Sequence, residues 1–170
     1  LCDLGAGRYT RDYFNEHRYE VFCNSSLSHS VPIINGKAQS AGRQFSGSLS
    51  LNGDTVTLDI GGAYDIKNIS VSRRFELTDT AVTLTDSFSG GIETFTERFV
   101  SEIKPAVEGN RVKFGLCSLR FDSDKMKPVI SEQQHTIRLN EPQAVFKTVY
   151  CVDFQVNPKD GGAEFVFETE

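Results

Sequence analysis

The chain has 170 residues, 38% of them hydrophobic and 24% charged, with a net charge of −5 and a pI near 5.3. That length suits one large domain with a core of its own. The acidic balance argues against a nucleic-acid binder but leaves room for an anionic ligand held by a local arginine cluster, and no segment approaches the roughly 18–20 apolar residues of a membrane span.

The N-terminus, LCDLGAGRYT, has neither the basic nor the apolar region of a secretory signal and does not begin with Met, so the expectation is a chain cut from something longer. Residues 10–20, TRDYFNEHRYE, form the one stretch with helical character. It suits a turn or two with Thr10 as N-cap and is too short for an independent helix. Polar and titratable side chains gather at this end: Asp3, Tyr9, Arg11, His17, Arg18 and His29. His17 reads as part of a solvated face.

His29 lies in SSLSHSVPIING, between two serines and just before an apolar run that ends in Asn35-Gly36. Asp3 and His29 have the chemistry of two zinc ligands, since zinc takes imidazole nitrogen and carboxylate oxygen. Their distance along the chain fits almost any arrangement, and a structural histidine is the simpler alternative.

From Asn52-Gly53 onward the pattern is all-β. Apolar and polar residues alternate in short runs bounded by turn residues, and Asn-Gly is a strong hairpin signal. Strands are expected at TVTLDI (55–60), NISVSRRFEL (68–77), AVTLTDSF (81–88), IETFTERFV (92–100), VKFGLCSLRF (112–121), HTIRL (135–139), AVFKTVYCVDFQV (144–156) and AEFVFET (163–169). Residues 122–133 suit a charged surface loop followed by a short edge strand, because Pro128 cannot donate to a ladder. Arg73 shares a face with Val71 and Phe75; an inward arginine must be paired or line a polar cleft. A salt bridge and an anionic-ligand contact are both open readings. His135, at the start of HTIRL, is expected to be exposed.

Cys2, Cys23, Cys117 and Cys151 are far apart with no zinc-finger spacing. The last three sit in strand-like stretches and read as buried free thiols, with a disulfide left open. Together these signals predict an all-β fold: one large antiparallel two-sheet β-sandwich over 1–170 with at most one short helix.

The stretch DLGAGRYTRDYF followed by RYEVFCNSSLSHSVPIINGKAQSAG resembles the C-terminal β-sandwich of the heparinase II/III-like polysaccharide lyases. The matching features are Asp3, Gly5 and Tyr9, then Asn24-Ser25-Ser26, His29, VPIING and Gln39. That family often has Asn directly after the histidine, where this chain has Ser30. Downstream, Tyr64, Arg73-Arg74 and Asp86-Ser87-Phe88 follow the family's order. The resemblance covers roughly residues 1–100.

The resemblance implies β-elimination on acidic, uronate-containing polysaccharides such as heparan sulfate. A base removes the C5 proton, a cationic or hydrogen-bonding group stabilises the developing charge, and an acid assists the leaving group. It places the main catalytic Tyr and its partners on an N-terminal α-helical toroid absent from this chain. Such lyases are often exported. The resemblance also implies that Asp3 and His29 match zinc-ligating positions, with a further histidine ligand upstream of Leu1. Tyr9, Arg11 and Arg73 become candidate saccharide contacts. The competing expectations are a stand-alone carbohydrate-binding sandwich, whose platform would be Tyr9, Tyr13, Tyr64 and Phe95 because Trp is absent, and a purely structural domain.

Overall fold

The computed structural model describes residues 1–137 and 145–169. Among them, the strands are β1 (Ile33–Ile34), β2 (Ser48–Asn52), β3 (Thr55–Asp59), β4 (Ile69–Leu77), β5 (Ala81–Gly90), β6 (Phe95–Ser101), β7 (Ala106–Glu108), β8 (Arg111–Phe114), β9 (Cys117–Phe121), β10 (Pro128–Ile137), β11 (Val145–Val156) and β12 (Gly162–Thr169). They form an eight-stranded sheet in the order β2-β3-β4-β5-β12-β9-β8-β7 and a four-stranded sheet in the order β1-β6-β11-β10. Every strand pairing is antiparallel, and the expected β-sandwich is the fold observed.

Three local expectations are corrected. The run VKFGLCSLRF is two strands, not one: Phe114 pairs with Cys117 across a turn in which Gly115 has φ of 65°. Its apolar alternation continues through the turn and hides it, and glycine supplies the positive φ at little cost. Residues 122–127 are the expected loop, but the edge strand after it is long, ten residues over Pro128–Ile137, and takes in the start of HTIRL. Pro128 is its first residue, where a missing N–H costs no ladder bond. The end of the expected HTIRL strand lies outside the described residues. Residues 10–20 are short 3-10 turns at Asp12–Phe14 and Glu16–Glu20, interrupted by extended Asn15. The Asn15 side chain accepts from the His17 N–H at 2.8 Å, so it caps the second turn and competes with a continuous helix.

The core is layered. One apolar cluster contains Leu84, Phe99, Val152, Phe154 and Phe165. A second contains Ile34, Tyr64, Val71, Phe88 and Phe95, with Phe88 stacked on Phe95 at 4.1 Å between ring centroids. Strand alternation puts one charged residue of each central strand between the two clusters. On β4, Arg73 lies between Val71 and Phe75; on β5, Asp86 between Leu84 and Phe88; on β6, Glu97 between Phe95 and Phe99.

The N-terminal segment lies over the outer face of the four-stranded sheet. Cys2, Leu4 and Phe22 pack on Val100, Val149 and Cys151 there, and the Cys2 N–H donates to the Val100 carbonyl at 3.1 Å. The eight-stranded sheet is wider than its partner. At its β2 end, Leu49 and Leu51 pair opposite Leu58 and Val56, in register with Arg73 and Phe75 on the core-side face. They remain 66% and 69% exposed.

Candidate functional site

The structure brings Asp3 and His29 together. His29 Nδ1 lies 3.7 Å from Asp3 Oδ2. Asp3 sits between pinned Cys2 and buried Leu4, and its Oδ1 accepts from the Gly5 N–H at 2.9 Å. Gly5 has φ of 65°, and Oδ2 is the oxygen nearer His29. His29 ends the 3-10 turn Ser26–Ser28; its own N–H donates to the Ser26 carbonyl at 3.1 Å. The two side chains are 39% and 74% exposed.

A separation of 3.7 Å is long for a hydrogen bond. It is close to the roughly 3.3–3.5 Å between two ligands of a tetrahedral zinc with bonds near 2.0–2.1 Å. No third His, Cys, Asp or Glu among the described residues completes a group around them. The donor chemistry therefore fits zinc as two ligands of four.

Directly behind this pair stands the buried charge layer. Arg73 is 3% exposed. Its Nε donates to Asp86 Oδ1 at 2.9 Å, its Nη2 to Glu97 Oε1 at 2.6 Å, and its Nη1 to the Ser30 carbonyl at 3.0 Å. Of the two open readings for Arg73, the geometry is that of a salt bridge. Burial lowers the Arg73 pKa, but the Glu97 and Asp86 carboxylates outweigh it and the net direction is upward. Burial raises the Glu97 pKa well above the carboxylate range; Arg73 opposes this and Asp86 reinforces it. Glu97 Oε2 is buried without a hydrogen-bond partner.

Neither a family model nor a curated protein matches the sequence. Solved structures do match. The heparan sulfate lyase HepC from Pedobacter heparinus superposes with a TM-score of 0.64 at 10% identity, over 98% of this chain and 28% of that one. A HepC mutant gives 0.65 at 11%. The BT4657 gene product, a heparinase III, gives 0.63 at 11%, over 97% of this chain and 27% of that one. The chain has the fold of a domain of these lyases. It spans about 28% of the length of the HepC chain.

Within this lyase-like sandwich the other candidate residues separate. Tyr9 is half exposed on the N-terminal segment, its ring 4.7 Å from Tyr13 and 5.0 Å from Phe14. Arg11 is exposed on the same segment, whereas Arg73 is enclosed in the sandwich. Of the four rings expected as a sugar platform, Tyr13, Tyr64 and Phe95 are buried, and Tyr64 donates its hydroxyl to the Pro32 carbonyl at 2.6 Å. His17 is exposed as expected, and its Nδ1–H hydrogen bond to the Glu20 carboxylate raises its pKa.

His135 is not exposed: it is 2% accessible, beneath the N-terminal segment. Burial lowers its pKa, partly offset by a hydrogen bond to the Leu4 backbone. Its cover comes from residues more than a hundred positions away, which the strand pattern does not show. All four cysteines are free; Cys23 and Cys151 are buried and Cys117 is half-buried. Sequence reasoning missed Glu97. The alternation Phe95-Glu97-Phe99 carried the signal, since it places a carboxylate on an otherwise aromatic face.

Proposed function

We propose that this chain is the β-sandwich domain of a heparinase II/III-like lyase, and that the intact protein cleaves acidic, uronate-containing polysaccharides by β-elimination. The observation that carries this reading is a fold match along nearly the whole chain to a domain of a heparan sulfate lyase. The Asp3–His29 pairing supports it, because the motif resemblance falls on those two residues and the fold brings them within 3.7 Å of each other. The apolar overhang at Leu49 and Leu51 supports it too. A face of that kind suits coverage by another domain, for which the helical toroid is the proposed partner.

The resemblance puts the main catalytic Tyr on the helical toroid, so the isolated chain is proposed to be inactive. In the intact protein Asp3 and His29 would supply two zinc ligands, the rest coming from outside the described residues, and zinc would fix the N-terminal segment against its neighbours. Tyr9 and Arg11 remain the candidate saccharide contacts. A stand-alone sugar-binding module is disfavoured, since burial of Tyr13, Tyr64 and Phe95 removes most of its platform.

The coding frame upstream of Leu1 tests the reading: several hundred residues of helical toroid are expected, and a start codon adjoining Leu1 would overturn it. The isolated chain, incubated with heparan sulfate, is expected to release no unsaturated uronate by ultraviolet absorbance.

A further inference from the structure

His29 stands on a segment with no strand ladder of its own, since β1 begins only at Ile33. Its position is set by donors from elsewhere. Arg98 Nη1 donates to the Leu27 carbonyl at 3.0 Å, and the Val100 N–H donates to Ser30 Oγ at 3.1 Å. Both come from β6. The Gln39 N–H donates to Ser26 Oγ at 2.8 Å, the Tyr64 hydroxyl to the Pro32 carbonyl at 2.6 Å, and Arg73, on the opposite sheet, to the Ser30 carbonyl.

We propose that Arg73 is a positioning residue for His29: the buried Asp86–Arg73–Glu97 cluster aims one guanidinium nitrogen at the Ser30 carbonyl and so fixes the imidazole beside Asp3. This rests on reading Asp3 and His29 as a ligand pair. A guanidinium is planar and offers its donors in a fixed fork. Asp86 occupies Nε and Glu97 occupies Nη2, which fixes the plane and leaves Nη1 pointing at Ser30. The two carboxyls thus act on His29 through the arginine without touching it. A lysine has the charge but not the fork, so it cannot hold both carboxyls and the carbonyl in one geometry.

The clamp also explains why charges occur between two apolar clusters that would pack without them. A buried ion cluster adds little net stability over apolar residues of like size. Here it joins both sheets to one loop carbonyl.

The test uses the whole chain. Arg73→Lys keeps the charge. The triple variant Arg73→Met/Asp86→Leu/Glu97→Leu replaces the buried charges together by apolar side chains and keeps the fold accessible if the single variant fails to fold. The first readout is amide hydrogen exchange at His29 and Val31, whose N–H groups donate to the Ser26 and His29 carbonyls. Exchange there is expected to accelerate by roughly tenfold or more beyond whatever change the core amides of Leu119 and Phe165 show. Unchanged exchange at His29 and Val31, or an equal acceleration throughout the chain, overturns the proposal.

The second readout is a Zn2+ titration followed by the His29 ring resonances. In the intact protein, which would carry the remaining ligands, wild type is expected to show a saturable shift that Asp3→Asn abolishes, and the triple variant an affinity at least several-fold weaker. An equal affinity overturns the positioning role. A wild type that ignores Zn2+ removes the ligand-pair reading instead, and the exchange measurement still decides whether Arg73 holds the loop.

Discussion

Replacing Arg73 by Met tests the charge layer most directly. The change deletes the cation that Asp86 and Glu97 both face, and each carboxyl is completely buried. The Asp86 and Glu97 carboxyls are then left without a counter-ion, between Leu84 and Phe88 on β5 and between Phe95 and Phe99 on β6. Removing one partner from a buried pair costs about 3–5 kcal/mol, because the other charge is left without water or a counter-ion. The Ser30 carbonyl also loses a charged donor, which adds about 1.5–3 kcal/mol at most. Against a total stability of about 5–15 kcal/mol for a domain, the single variant should be severely destabilised. The triple neutral variant removes the cause along with the partner and should lose about 2 kcal/mol or less relative to wild type. Urea unfolding at neutral pH, followed by circular dichroism, measures both. If Arg73→Met costs under about 1 kcal/mol, or if the triple variant is as unstable as the single one, the cluster is not the closed, desolvated unit described.

Three further outcomes follow from the same geometry. Glu97→Gln mimics the protonated acid; since the folded pKa of Glu97 lies above its unfolded value, its contribution is full at low pH and lost as pH rises above about 4.5. The variant's stability relative to wild type should therefore increase with pH through that range, and a pH-independent difference in urea midpoints would contradict a proton on Glu97. Asp3→Asn and His29→Ala change exposed groups and should each alter stability by less than about 1 kcal/mol in urea unfolding while removing the Zn2+ response of the His29 region. Gly7→Ala would place a methyl 2.6 Å from Cys23 Sγ and 3.1 Å from the Thr136 carbonyl. It should cost about 1–3 kcal/mol and raise proteolysis within residues 1–30, while a wild-type digestion pattern would show that the segment is not seated as described.

Alternation made most of the sandwich legible. In NISVSRRFEL it named Val71, Arg73 and Phe75 as one face, and they point into the core. It failed where a turn kept the apolar rhythm, as at Gly115-Leu116, and where a local side-chain bond broke a helical pattern, as at Asn15. The Asp3–His29 pair was legible only as motif order, because a spacing of that length carries no geometry. Its closeness is now explained by Cys2 bonding to β6 and by the donors that hold Leu27 and Ser30.

The sequence by itself determined the class of fold, the inward faces of the strands and the identity of the residues worth watching. These depend on neighbours two positions apart, and a two-residue period is local information. Only the tertiary structure decided that His135 is covered, that Tyr64 and Phe95 are core rather than platform, and that Arg73 meets two carboxyls and the carbonyl beside His29. Those facts depend on which strands become neighbours across the two sheets. That choice is made by the packing of the whole core, to which each segment contributes but which none encodes alone.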